Sequence, residues 1–154
     1  MKIVFLSNFY NHHQAAMSKK LYELTNGNYY FIATSDIPEE RKKLGYAEMT
    51  EPFLLLYGKD ESTNNKIKLI IDNADVVITG SAPEVLLKNR KKSKKIIFRY
   101  SERPLKNGFE IWKYPFRFIN WHIKNPIFKP VYMLCSSAYT AEDYKKFGLF
   151  INRS

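Results

Sequence analysis

Met1-Lys2-Ile3-Val4-Phe5-Leu6-Ser7-Asn8-Phe9-Tyr10-Asn11-His12-His13-Gln14 is the stretch that decides the fold of this chain. Residues 2–6 are an apolar run of β-branched, aromatic and leucine side chains behind one lysine, which suits a central strand covered on both faces. Residues 7–14 are polar loop. Beyond them Met17, Leu21 and Leu24 recur at i, i+4 and i+7, with Lys19, Lys20 and Glu23 elsewhere on the wheel. Strand, loop and helix make the first βα unit of an open parallel sheet. Ligands of such sheets sit outside the carboxyl ends of the strands, where this loop falls.

The rest of the chain repeats the pattern. After the Asn26-Gly27-Asn28 stop, residues 29–34 read as a second strand. A short helix starts at Asp36-Ile37-Pro38-Glu39-Glu40, with proline and acids where a first turn accepts them, and Gly45 closes it. Residues 53–57 read as a third strand and 58–65 as polar loop. Residues 66–73 follow as a helix with Ile67, Ile70 and Ile71 on one side. Residues 74–80 are a buried strand ending in Gly80. Ser81-Ala82-Pro83-Glu84 has the spacing of a capping box. Its helix ends in the basic run Lys88-Asn89-Arg90-Lys91-Lys92-Ser93-Lys94-Lys95. Residues 95–100 form a strand that delivers Ser101, Glu102 and Arg103 at its carboxyl end. Trp112, Phe116, Ile119 and Ile123 at helical spacing predict an aromatic, basic helix over 112–124, with Lys113, Arg117, His122 and Lys124 around it and a start or kink at Pro115. Residues 131–135 are the last strand, and Ser136 or Ser137 leads into a helix through Phe147, stopped by Gly148. This alternation predicts an α/β parallel sheet with helices on both faces. Residues 149–154 do not form a helix that closes over the sheet, as expected of a piece of something longer.

At 154 residues the chain is long enough to bury a core as one domain, and 45% hydrophobic with 16% aromatic content argues for a packed globule. Net charge is +10, which implies an anionic partner: nucleic acid, an anionic membrane face or a phosphorylated substrate. Cys135 is alone, so no internal disulfide forms and a reducing, cytoplasmic setting is the simpler expectation. No window approaches the roughly 18 apolar residues of a spanning helix.

Candidate chemistry gathers at four strand ends. His12 and His13 at a helix start suit hydrogen bonding to phosphate or sugar hydroxyls, or general-base work, and equally suit a plain exposed helix end. Arg99, Glu102 and Arg103 fit either a phosphate grip around a carboxylate or an ordinary ion-pair set. Ser81 reads as a helix cap or as part of an anion site. No metal is expected, since no Cys or His cluster has ligand spacing. No dinucleotide or ATP loop is present, and Ser and Cys135 lack partners for nucleophilic catalysis. The runs 88–95 and 112–124 read as solvated surface, as a seat on anionic lipid, or as a nucleic-acid face. The last lacks any supporting signature, so no nucleic acid is expected.

The opening 1–14, the strand and turn Ala74-Asp75-Val76-Val77-Ile78-Thr79-Gly80, and Val131-Tyr132-Met133-Leu134-Cys135-Ser136-Ser137-Ala138-Tyr139-Thr140-Ala141-Glu142-Asp143-Tyr144 together resemble the N-terminal half of GT-B glycosyltransferases of the family 4 type, those of bacterial capsular and cell-surface polysaccharide synthesis. The resemblance implies a three-layer Rossmann-like domain with a mostly parallel sheet of about six to seven strands. It implies that residues 1–154 are the acceptor-side domain of a retaining enzyme at the inner face of the plasma membrane. The acceptor would be a saccharide or lipid-linked saccharide. No cofactor is implied; the nucleotide-sugar donor would be held mainly by a C-terminal domain that this chain lacks. On that likeness Glu102 and His12 are catalytic candidates, and Asn8, Tyr10, His13, Ser81, Arg99, Ser101, Arg103 and Ser136 are substrate-binding candidates. Many relatives place a histidine just after the strand ending Phe98-Arg99-Tyr100, where this chain has Ser101-Glu102. Glu102 or His12 would take over hydrogen bonding near the anomeric centre. The alternative is a stand-alone, non-catalytic α/β domain that binds anions or nucleotides.

Overall fold

The structure, a computed structural model, describes residues 1–108, 110–126 and 129–154. The chain is α/β and Rossmann-like, with six parallel strands flanked by helices. It divides into two compact units, Met1–Ser93 and Lys94–Ser154.

The first unit runs β1 (Ile3–Ser7), α1 (His12–Leu24), β2 (Tyr29–Ala33), α2 (Glu39–Lys43), β3 (Leu54–Leu56), α3 (Glu61–Asn73) and β4 (Val76–Thr79). A single 3-10 turn, Glu84–Leu87, then leads into α4 (Lys88–Lys92). Its strands lie in the order β3-β2-β1-β4, with Phe5 paired to Phe31 on one side and to Ile78 on the other. All five residues of β1 are buried, as its composition predicts. Alternate side chains feed two cores, because successive residues of a strand point to opposite faces. Val4, Leu6, Ile32 and Val77 pack with Ile67 and Ile71 of α3 and with Leu86 and Leu87. On the other face Phe5 stacks on Phe31 at 5.2 Å, and Tyr10, Tyr29 and Phe53 close around them. Helix, sheet and helix give the unit three layers.

Four expectations are corrected here. α1 turns inward on Ser18, not on Met17 and Leu24, which are exposed. The buried Ser18 hydroxyl and the Tyr29 phenol share a hydrogen bond of 2.8 Å, so a small polar residue brings the helix close to the sheet and leaves neither hydroxyl unmet. α3 begins at Glu61, not at residue 66, because Asp60 caps it: one carboxylate oxygen accepts from the Thr63 N–H and the other from its hydroxyl, both at 2.7 Å. The capping box lies at Asn11 and Gln14, where the Asn11 side chain accepts from the His13 N–H and the Gln14 side chain from the Asn11 N–H. Ser81 is exposed, and the turn after it starts at Pro83 with no side-chain cap.

The fourth correction concerns the basic run. Arg90 is buried, and its guanidinium donates to the carbonyls of Ile71, Ala74 and Asp75 at 3.1, 2.7 and 2.8 Å. These are orphan carbonyls at and beyond the end of α3, which one planar fork satisfies together. Lys91 pairs with Glu84 at 2.8 Å.

The second unit holds β5 (Ile96–Ser101), a 3-10 turn Ile111–Lys113, α5 (Tyr114–Lys124), β6 (Val131–Cys135) and α6 (Ala138–Lys145). β5 and β6 pair in parallel from Ile97 with Val131 to Ser101 with Cys135. Ile97, Leu105, Val131, Met133, Phe147, Leu149 and Phe150 form its core. Pro115 sits in the first turn of α5, where its missing N–H costs nothing. Among the described residues no helix is long and apolar enough to cross a membrane.

Arg90→Leu strands three carbonyls, two of them in buried contacts, and is expected to lower unfolding free energy by about 2–4 kcal/mol. Arg90→Lys recovers only part, since an ammonium cannot span the fork's geometry. Urea titration followed by circular dichroism measures both.

Candidate functional site

In the first unit β1 leads to β2 on one side while β4 lies on the other, so the sheet order switches between β1 and β4. Crevices outside such switch points are where open α/β sheets bind ligands. Ser7 and Gly80 meet there: a Cβ on Gly80 would stand 3.2 Å from the Ser7 hydroxyl. Glycine lets the end of β4 close against β1, and the Ser7 hydroxyl takes up the room. Asn8 follows β1, and its carbonyl accepts N–H groups from Thr34 at 2.8 Å and Ser35 at 2.7 Å, fixing the start of the loop to the end of β2. Ser81 follows β4 and is exposed.

His12 and His13 open α1 and are exposed, with ring centroids 3.9 Å apart. Tyr46 lies across them, 4.9 Å from His12, its hydroxyl 3.4 Å from Nε2 of His13. The Arg41 guanidinium sits 5.6 Å over the Tyr46 ring. The result is a platform of three rings that offers imidazole nitrogens and a phenol, with no acid in the first turn of the helix. The same 44–53 loop that brings Tyr46 also lines a pocket of about 160 Å³ at the carboxyl ends of the strands. Phe9, Tyr10 and Met49 give that pocket apolar walls, and Asp36 and Glu48 give it two carboxylates. Lys42 holds Glu48 at 2.8 Å and keeps its carboxyl below the ordinary value, chiefly by that hydrogen bond. Tyr10 itself is a core residue whose ring meets Phe31 at 4.7 Å edge-on; burial and then Glu51 push its phenol up.

The carboxyl edge of the second unit is built differently. Arg99 is buried: its Nε donates to the Asn125 side chain at 2.8 Å and its NH2 to the Lys124 carbonyl at 2.9 Å, closing the end of α5. Arg103 donates through Nε and NH2 to the two oxygens of buried Asp143, at 3.1 and 3.3 Å. The Tyr139 ring lies 5.1 Å from that guanidinium. Both arginines therefore help to hold the unit together. Glu102 is exposed and pairs with Lys106 at 3.2 Å. Ser101 bonds the Tyr144 phenol at 3.0 Å, and the Ser136 hydroxyl donates to the Ser101 carbonyl at 2.9 Å, so these two serines join the ends of β5 and β6.

Asn8, Tyr10, His12, His13 and Ser81 thus belong to the first unit, and Arg99, Ser101, Glu102, Arg103 and Ser136 to the second. Asp36, Tyr46, Glu48 and Asp143 were missed from sequence. A signal existed only for Asp36, which stands at the end of a predicted strand but reads as the opening of a helix. Among the described residues no group of three or more His, Cys, Asp or Glu side chains is placed to hold a metal ion.

Burial alone pushes the Asp143 carboxyl up. The Arg103 hydrogen bond, the Leu105 N–H and the charges of Arg103 and Lys146 outweigh it, leaving the group below its ordinary value. Stability from this carboxylate is full above the unfolded value of about 3.9 and is lost as pH falls through the lower folded one. Asp143→Asn keeps the shape without the charge and is expected to cost about 1–3 kcal/mol at neutral pH. Its difference from the native chain shrinks below about pH 4, as urea titrations at stepped pH will record.

Comparison with known proteins adds no family: no family model, no curated protein and no solved structure matches the chain.

Proposed function

We propose that this chain is the acceptor-binding half of a glycosyltransferase that moves a sugar from a nucleotide-sugar to a saccharide or lipid-linked acceptor in cell-surface polysaccharide synthesis. The observation that supports it best is the pocket lined by Phe9, Tyr10, Asp36, Glu48 and Met49. Carboxylates accept hydrogen bonds from pairs of sugar hydroxyls, and aromatic walls cover the apolar face of a sugar ring. Lys42 offsets the charge of Glu48, while Asp36 repels phosphate and so disfavours a plain anion-binding module.

The transfer needs a positioned acceptor hydroxyl, a group to take its proton, and charge stabilisation for the leaving diphosphate. In this proposal Asp36 and Glu48 orient the acceptor, and His12 or His13 accepts the proton. Arg99 and Arg103 are engaged by Asn125, Lys124 and Asp143, and in this reading a second domain supplies the diphosphate grip.

Ligand-observed NMR with a panel of neutral mono- and disaccharides is expected to detect binding to the purified chain. Asp36→Asn combined with Glu48→Gln weakens it about tenfold or more. The chain alone leaves nucleotide-sugars intact. Turnover of a nucleotide-sugar, or saccharide binding untouched by the double substitution, would overturn the proposal.

A further inference from the structure

α5 is apolar on two opposite sides. Tyr114 and Trp121 define the inner side: Tyr114 stacks on Phe147 at 4.9 Å, and Trp121 meets Tyr144 at 5.1 Å and Phe147 at 4.6 Å. At about 100° per residue, Phe116, Ile119 and Ile123, with Trp112 in the turn before them, fall on one narrow stripe roughly opposite. Their exposures are 75%, 59%, 70% and 68%, and Ile111 beside them is 77% exposed. Helices apolar all round are buried helices. Among the described residues of the second unit, it is the inner side that packs on the core, through Tyr114 and Trp121.

Charge identifies what covers the outer side. The second unit carries twelve Lys and Arg against four Asp and Glu, a net +8, while the first carries thirteen against eleven, a net +2. α5 itself contains no acid, and Lys113, Arg117 and Lys124 flank the outer stripe; Glu110, just before the helix, pairs with Lys113 at 2.6 Å and Arg117 at 3.0 Å and offsets one of these charges. The Lys113 ammonium lies 4.5 Å over the Trp112 ring. Protein interfaces are depleted in lysine at their centres, whereas tryptophan, aliphatic residues and lysine together suit the boundary between anionic headgroups and acyl chains.

We propose that this face of α5 rests on an anionic lipid surface, with Phe116, Ile119 and Ile123 at the acyl boundary, Trp112 among headgroups, and the excess positive charge of the unit drawn to the phosphates. The helix, about 16 Å long, lies in the plane of the membrane. The expectation of a lipid seat along 88–95 narrows accordingly, since Arg90 and Lys91 of that run are engaged within the first unit.

Co-sedimentation of the full chain with vesicles of phosphatidylglycerol mixed into phosphatidylcholine, and with phosphatidylcholine alone, tests this. Binding to the mixed vesicles is expected to exceed binding to the neutral ones by about tenfold or more and to weaken as salt is raised. Phe116→Ser with Ile123→Ser removes two exposed side chains, so the thermal midpoint stays in place while lipid binding falls about tenfold or more. Leu69→Ser, an exposed apolar residue of α3, leaves binding unchanged. Equal partition to both vesicle types would overturn the proposal, as would a double variant that binds like the native chain. A concentration-dependent dimer that the double variant abolishes would instead assign the face to a second copy. The assay reads lipid and not sugar, so its failure leaves the acceptor proposal standing.

Discussion

Burial of β1 on both faces is the constraint from which the first unit follows. Its five residues are enclosed, with β2 and β4 on its two edges. Val4 and Leu6 belong to one core while Phe5 belongs to the other, so a slip of one residue would exchange the two sets and spoil both. With the register pinned, the carboxyl end of β1 has a fixed place beside Gly80. The loop to Asn11 and the two histidines at the start of α1 follow from that end point. The edge that carries the candidate chemistry is thus positioned by side chains that take no part in it.

The strands were legible because a strand buried on two faces is written as an unbroken apolar run, and β1 and β4 both are. The rotation of α1 was not. Apolar spacing selects Met17, Leu21 and Leu24, yet the decisive contact joins Ser18 to Tyr29, a hydroxyl pair that no periodicity encodes. Arg90 is the same kind of case: within a run of lysines it reads as solvated charge, and only the exposed carbonyl ends of α3 give it a buried task. Asp60, a plain N-cap, was hidden inside a polar stretch that reads as loop.

The candidate site was legible in part, and the division is physical. His12 and His13 are neighbours in sequence, so their pairing could be read directly. Tyr46 reaches His13 from 33 residues away, Arg99 meets Asn125 at a separation of 26, and Arg103 meets Asp143 at 40. Contacts of that range are set by the sheet and not by local spacing. Between the two readings open for the arginines, these contacts supply the structural one: Arg99 closes a helix end and Arg103 neutralises a buried carboxylate.

Arginine and lysine divide the basic charge between two tasks. Each of the six arginines meets a partner of its own unit: Arg41 the Tyr46 ring, Arg90 three carbonyls, Arg99 an amide and a carbonyl. Arg103 and Arg117 meet carboxylates, and Arg153 the Lys129 carbonyl. A planar fork is the group that rewards fixed geometry, and here the fold uses it for itself. Lysine supplies the larger part of the excess charge, as hydrated ammonium groups on flexible stems that match a diffuse negative surface better than one rigid diphosphate. A chain that keeps its forks for structure and offers lysines outward is suited to resting against spread-out anions.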